Sequence, residues 1–169
     1  VITGAADHLH RLQTVILSPQ AMVNAWYLQY PPWLQFDRGK NERGEYLPEA
    51  QQYETYARTL INLRMQLIPY LYHAFFDYYK EGIPPFRPLL MDYPKDERLR
   101  TISNQYLIGE GLMAAPLYEN KKSRTVYFPE GTWYNFNTNE KYEGNKEYEI
   151  TTEFDQLPLY VRQGTLLPL

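Results

Sequence analysis

The sequence predicts a chain in two styles, α/β followed by all-β: helices with scattered strands come first, then an antiparallel β-sandwich. Three observations predict it. From Glu49 to Glu81, apolar and aromatic side chains recur every three or four residues, the period of a helix with one wide buried face. From Tyr106 onward the period drops to two, and short apolar runs alternate with turn residues. Between them stands Ile83-Pro84-Pro85-Phe86-Arg87-Pro88, continuing through Leu89 to Pro94. Prolines this dense argue against a helix, so an extended junction is expected there, with two structural units meeting near Gly82–Pro94.

Taken in order, Val1–Gly4 reads as the end of a short strand. Asp7 then reads as the N-cap of a helix carrying Leu9, Leu12, Val15 and Ile16 up to Ser18-Pro19. Ala21–Tyr27 is a short apolar run with the character of a buried strand, and Tyr30-Pro31-Pro32-Trp33 cannot be regular structure. Phe36–Glu49 is a long charged loop, either functional or an insertion. In the long helix, Pro69 removes a backbone donor and predicts a kink or a division into two helices near Gln66–Pro69. Arg64 falls on its apolar stripe and either pairs with a carboxylate or carbonyls, or lies at the edge and reaches water.

After the junction, Lys95–Gln105 suits a short helix capped by Asp96. Strands are expected at Leu112–Leu117, Thr125–Phe128, Thr132–Phe136, Glu147–Thr151, Leu159–Arg162 and Thr165–Leu167. Pro129-Glu130-Gly131 reads as the turn of a hairpin joining the second and third of these, and Asn137–Asn139 and Glu143–Asn145 read as further turns.

The 169 residues suffice for one domain or two small ones, and the net charge of −3 argues for neither nucleic acid nor an anionic membrane. No apolar run approaches the ~20 residues of a membrane span. With no cysteine there is neither a disulfide framework nor a thiolate metal site, and His8 and His10, two apart on a helix, point to different faces and suit no shared metal. No cofactor is implied. The 17 tyrosines suit surfaces that stack on sugars or interfaces between domains. The chain opens at Val1 without a methionine and stops at Leu169 in mid-pattern, so it reads as a piece of something longer.

Leu63-Arg64-Met65-Gln66-Leu67-Ile68-Pro69-Tyr70-Leu71-Tyr72 resembles the Leu-Arg-x-x-Leu-x-Pro-Tyr-x-Tyr signature of glycoside hydrolase family 31. The resemblance continues through Gly82–Leu89, Asp92–Asp96, Gln105–Gly109, Ala115-Pro116, Val126–Tyr134 and Leu157–Gly164, in the same order and at similar spacing. It implies a retaining α-glycosidase or α-transglycosylase acting on an α-linked oligosaccharide or glycoside. The implied fold is a (β/α)8 barrel followed by C-terminal β-sandwiches. Residues 1–82 would be the last part of that barrel and residues 83–169 the first sandwich. Upstream, Ile2-Thr3-Gly4, Arg11-Leu12, Ser18-Pro19 and Pro32-Trp33 are similar to further family segments. The family's histidine after Ser-Pro has no counterpart, since Asn24, Ala25 and Trp26 occupy the region.

A retaining glycosidase needs two carboxylates about 5–5.5 Å apart. No pair here looks set on facing strands, and the resemblance places both catalytic aspartates upstream of Val1–Gly4. No catalytic residue is therefore expected in this chain, which alone should hydrolyse nothing. Substrate contacts are expected at Asn24 by hydrogen bonding and Trp26 by stacking, at the end of the apolar run, with Trp33 at the rim. Packing roles for the two tryptophans are the alternative. Trp133-Tyr134 could offer a sugar-binding face, but reads better as cover for the interface between sandwich and barrel, as do Tyr70 and Tyr72. Two competing readings are a free-standing carbohydrate-binding module and a structural scaffold. A partial barrel leaves apolar helix surface uncovered, so self-association of the isolated chain is expected unless it belongs to a larger polypeptide.

Overall fold

The computed structural model describes residues 5–22, 48–118 and 121–168. Helix α1 (Ala5–Leu17) packs on helix α2 (Pro48–Glu81). Gly82, at φ +73°, ends α2, and its N–H closes the last turn on the carbonyl of Tyr78 at 3.0 Å. Strand β1 (Phe86–Pro88), the single turn α3 (Leu89–Asp92) and a 3-10 turn (Glu97–Thr101) follow. Then come β2 (Tyr106–Ile108), β3 (Leu112–Ala114), β4 (Ser123–Phe128), β5 (Thr132–Asn135), β6 (Lys141–Glu143), β7 (Lys146–Thr151) and β8 (Leu159–Arg162).

Among the described residues, the strands form a six-stranded antiparallel sheet in the order β1-β2-β3-β8-β5-β6 and a two-stranded sheet β4-β7. The larger sheet is covered on both faces, and strand alternation sorts its side chains between two cores. Ile108, Leu112, Ala114 and Leu159 face the helices, where they meet Leu9, Ile16, Leu60, Leu67 and Tyr70. Leu107, Met113 and Tyr160, at the intervening positions, face β4-β7 and pack with Val126, Phe128, Trp133 and Ile150. This is why β3 is buried at all three positions.

Several expectations change. α1 begins at Ala5, so Asp7 lies within the helix rather than capping it. α2 is one continuous helix through Pro69, not two. The carbonyl that Pro69 leaves without a helical donor belongs to Met65; both residues are on the exposed side, open to solvent. The junction is not wholly extended. Four residues separate Pro88 from Leu89–Asp92's end at Tyr93, enough for one helical turn, and Pro88 at φ −64° precedes it without needing an N–H donor. Lys95–Gln105 contributes only the 3-10 turn, with Asp96 as its N-cap accepting from the Arg98 N–H. The expected β4–β5 hairpin does not form. β4 pairs with β7, while β5 pairs with β6 and β8 in the other sheet. Pro129 has no N–H to extend a ladder, and Gly131 takes φ +120°, so Pro129–Gly131 carries the chain between sheets. Residues 165–167 form no strand.

Candidate functional site

The expected substrate contacts Asn24, Trp26 and Trp33 lie outside the described residues, as do Val1–Gly4, most of the Ala21–Tyr27 run and the charged loop up to residue 47. The described residues instead build a junction between helices and sheet.

Tyr70 is its centre. Its period-matched position on α2 buries it to 3 % exposure, and its hydroxyl donates to the Ile108 carbonyl at 2.8 Å and accepts from the Gly111 N–H at 3.0 Å. Burial pushes its phenol up, against the backbone bonds from Gly111 and Leu112. Gly109, at φ +54°, lies directly beneath the ring: a Cβ there would stand 2.8 Å from the Tyr70 hydroxyl oxygen. Tyr70 thus lies at the contact between α2 and the sheet, whereas Tyr72 is 75 % exposed. A second tie comes from α1, where the buried Gln13 amide donates to the carbonyls of Phe154 and Gln156 at 3.1 and 3.2 Å. A third joins the helices to each other. Arg64 donates to the carbonyls of Ile16 and Ser18 at 2.6 and 2.7 Å, and to that of Pro19 at 3.3 Å. α1 has no basic residue in its last turn, so Arg64 supplies the cation and donors that its C-terminus lacks. Of the two readings of Arg64, carbonyl pairing is the one observed.

Among the described residues, the carboxylates do not assemble into a reactive pair around this junction. Asp92 is held by both Nε and Nη2 of Arg87, at 2.6 and 2.7 Å. Asp96 accepts from the Tyr127 hydroxyl and from the amide and Nε of Arg98. Burial pushes the Asp96 carboxyl up, but those donors outweigh it and hold it below the usual range. Glu143, beside Lys146, is likewise held low. A proton-donating carboxyl needs the opposite shift. No group of three His, Cys, Asp or Glu side chains that could hold a metal occurs among the described residues.

Trp133 is neither a sugar platform nor cover for the helices. It is fully buried in the core between the sheets, and its indole donates to the Pro129 carbonyl at 3.0 Å. Phe128 stacks on Tyr142 at 4.7 Å and meets Tyr160 edge-on at 4.7 Å in the same cluster. Alternation along β5 turns Tyr134 the other way, half-buried beside Val161 and Phe136. The position of Trp133 after a sheet-crossing turn was the available signal, but its meaning depends on strand partners that spacing does not specify.

The apolar residues expected on one face of α2 divide into two. Leu60, Leu63, Leu67, Tyr70 and Leu71 are buried against α1 and the sheet. On the far side, Ile61, Met65, Ile68, Tyr72, Phe76 and Tyr79 are between 40 and 81 % exposed. Their spacing of three or four makes them one continuous stripe. Among the described residues, no helix is long and apolar enough to cross a membrane.

The model of the glycosyl hydrolase family 31 C-terminal domain matches residues 82–167. The chain belongs to glycoside hydrolase family 31. Alpha-glucosidase 2 of Bacillus thermoamyloliquefaciens is 33 % identical over 121 residues, covering 71 % of this chain and 15 % of that protein. The family 31 dextranase of Flavobacterium johnsoniae, solved with glucose, superposes at a TM-score of 0.75 with 25 % identity, over 96 % of this chain and 19 % of that one. The cycloalternan-degrading enzyme of Trueperella pyogenes, solved with cycloalternan, superposes at 0.80 with 21 % identity, over 96 % of this chain and 22 % of that one. The family 31 chain thus spans between a seventh and a quarter of the length of these relatives, which are glycosidases or sugar-degrading enzymes by name.

Proposed function

We propose that this chain is the supporting end of a retaining α-glycoside hydrolase: the last helical part of its (β/α)8 barrel in residues 1–82, and the proximal C-terminal sandwich in residues 83–169. The observation that carries this reading is the uncovered stripe Ile61–Tyr79 on α2. A barrel helix must bury one flank on strands, and α2 has a second apolar flank that nothing in the described residues covers. The start of the family match at residue 82, where Gly82 ends the helix, supports the boundary. The reacting acids are supplied by polypeptide outside this chain. Its own part is to brace the barrel from behind through Tyr70, Gln13 and Arg64, while Asn24, Trp26 and Trp33 contact or rim the sugar.

The test compares the isolated chain with a longer polypeptide that joins it to an upstream family 31 barrel. The longer protein hydrolyses an α-glucoside, and nuclear magnetic resonance shows the released sugar first as the α-anomer, as retention requires. The isolated chain turns over nothing. Turnover by the isolated chain, or a β-anomer as first product, defeats the corresponding part of the reading.

A further inference from the structure

The turn after α3, the 3-10 turn and the β4–β5 and β6–β7 connections line an open cleft of about 450 Å³. We propose that this cleft is a binding site for a neutral oligosaccharide. Its volume falls in the ~300–1,000 Å³ range of small-molecule sites.

Its polar walls are fixed in advance. Asp92 is clamped by Arg87 through both oxygens, which leaves each oxygen a lone pair to offer. Arg98 lies 4.4 Å over the Tyr127 ring and donates to the Asn145 carbonyl at 3.2 Å, so its fork is held in place. Tyr93, half-buried, adds an aromatic ring, and exposed Lys95 and Glu130 complete the mouth.

The charge selects the ligand class. Asp92, Asp96 and Glu130 are matched by Lys95, Arg98 and the Arg87 that backs Asp92, so the cleft presents donors and acceptors without net charge. A phosphate or a divalent cation would meet as much repulsion as attraction. Adjacent hydroxyls of a sugar, each both donor and acceptor, match such a surface, and the ring offers a face for a C–H-lined sugar. The inference does not rest on the barrel reading, because every residue in it belongs to the sandwich.

The test is calorimetric titration of the 169-residue chain with isomaltotriose and maltotriose, alongside inorganic phosphate and calcium chloride. Saturable binding of a trisaccharide, and of neither ion, is expected. Lys95→Ala and Glu130→Ala, both at exposed positions, each weaken it about tenfold, the loss of one charge-assisted hydrogen bond. Glu130→Trp fills the mouth and abolishes it, with the midpoint of urea unfolding unchanged. Binding that survives Glu130→Trp places the sugar elsewhere and overturns the proposal. So does binding of phosphate or calcium instead, or no saturable binding by a chain whose aromatic dichroism shows a packed sandwich.

Discussion

At Tyr70 one oxygen serves two backbone groups that no strand neighbour satisfies in the same way, the Ile108 carbonyl and the Gly111 N–H. Tyr70→Phe keeps the ring and strips both bonds, leaving a buried donor and acceptor. It should cost about 2–3 kcal/mol, read from urea denaturation. Arg64→Ala removes the cap of α1 and should cost about 1–2 kcal/mol, with Arg64→Lys restoring part of it, because an ammonium reaches fewer of the three carbonyls than a guanidinium. At Trp26, the proposed sugar contact is tested in the longer enzyme: Trp26→Ala raises KM for sugar substrates and leaves the unfolding midpoint in place. A lowered midpoint with unchanged KM assigns Trp26 to packing. Arg64 shows what a sequence can and cannot say at this scale. Its place on an apolar stripe demanded partners, but the partners are 46 and 48 residues away in sequence. No local pattern names them.

The buried and half-buried tyrosines make an alkaline prediction. Burial pushes the phenol of Tyr106 up to about 12, and that of Tyr142, beside Glu140, also to about 12. Burial, with the Asp96 carboxylate beyond it, raises Tyr127 to about 12 as well. An unfolded tyrosine ionises near ~10. The folded state therefore binds these protons more tightly. Their stabilisation is fully present below pH ~10 and is lost as pH rises toward about 12. Tyrosinate absorbance should show Tyr106, Tyr127 and Tyr142 ionising only together with unfolding. Elements were legible in unequal measure. The long helix was read almost to its ends, because amphipathic period survives any tertiary context. Strands β4, β5, β7 and β8 were placed to within two residues, whereas β1, β2 and β6, three residues each, were not placed, and the pairing was not read: Pro129–Gly131 looks like a hairpin turn whether or not its flanking strands share a sheet. The one-turn helix Leu89–Asp92 was missed because it fits between prolines that dominate the local pattern.

For the molecule as a whole, the deciding quantity is the apolar surface of α2. Periodicity predicted one wide buried face, whereas the chain buries only part of it and leaves a second apolar flank exposed. The isolated chain should self-associate through the flank that remains, seen as concentration-dependent mass in sedimentation. Tyr72→Lys with Phe76→Lys should shift it toward monomer while changing stability by less than about 0.5 kcal/mol, since both side chains are largely exposed. The sheet itself offers little for strand addition: its edge strands β1 and β6 have three residues each, and β1 ends in Pro88. The expected substrate contacts Asn24, Trp26 and Trp33, argued from side-chain chemistry at the end of the apolar run and at the rim, lie in residues 23–47, outside the described residues. The close fit of Tyr70 over Gly109 carries an evolutionary consequence. A side chain at Gly109 and a phenol at Tyr70 claim the same space, so neither position is free to drift alone. Lineages that lose the tyrosine should be the ones that admit a larger residue at the glycine, and the two columns of a family alignment should change together.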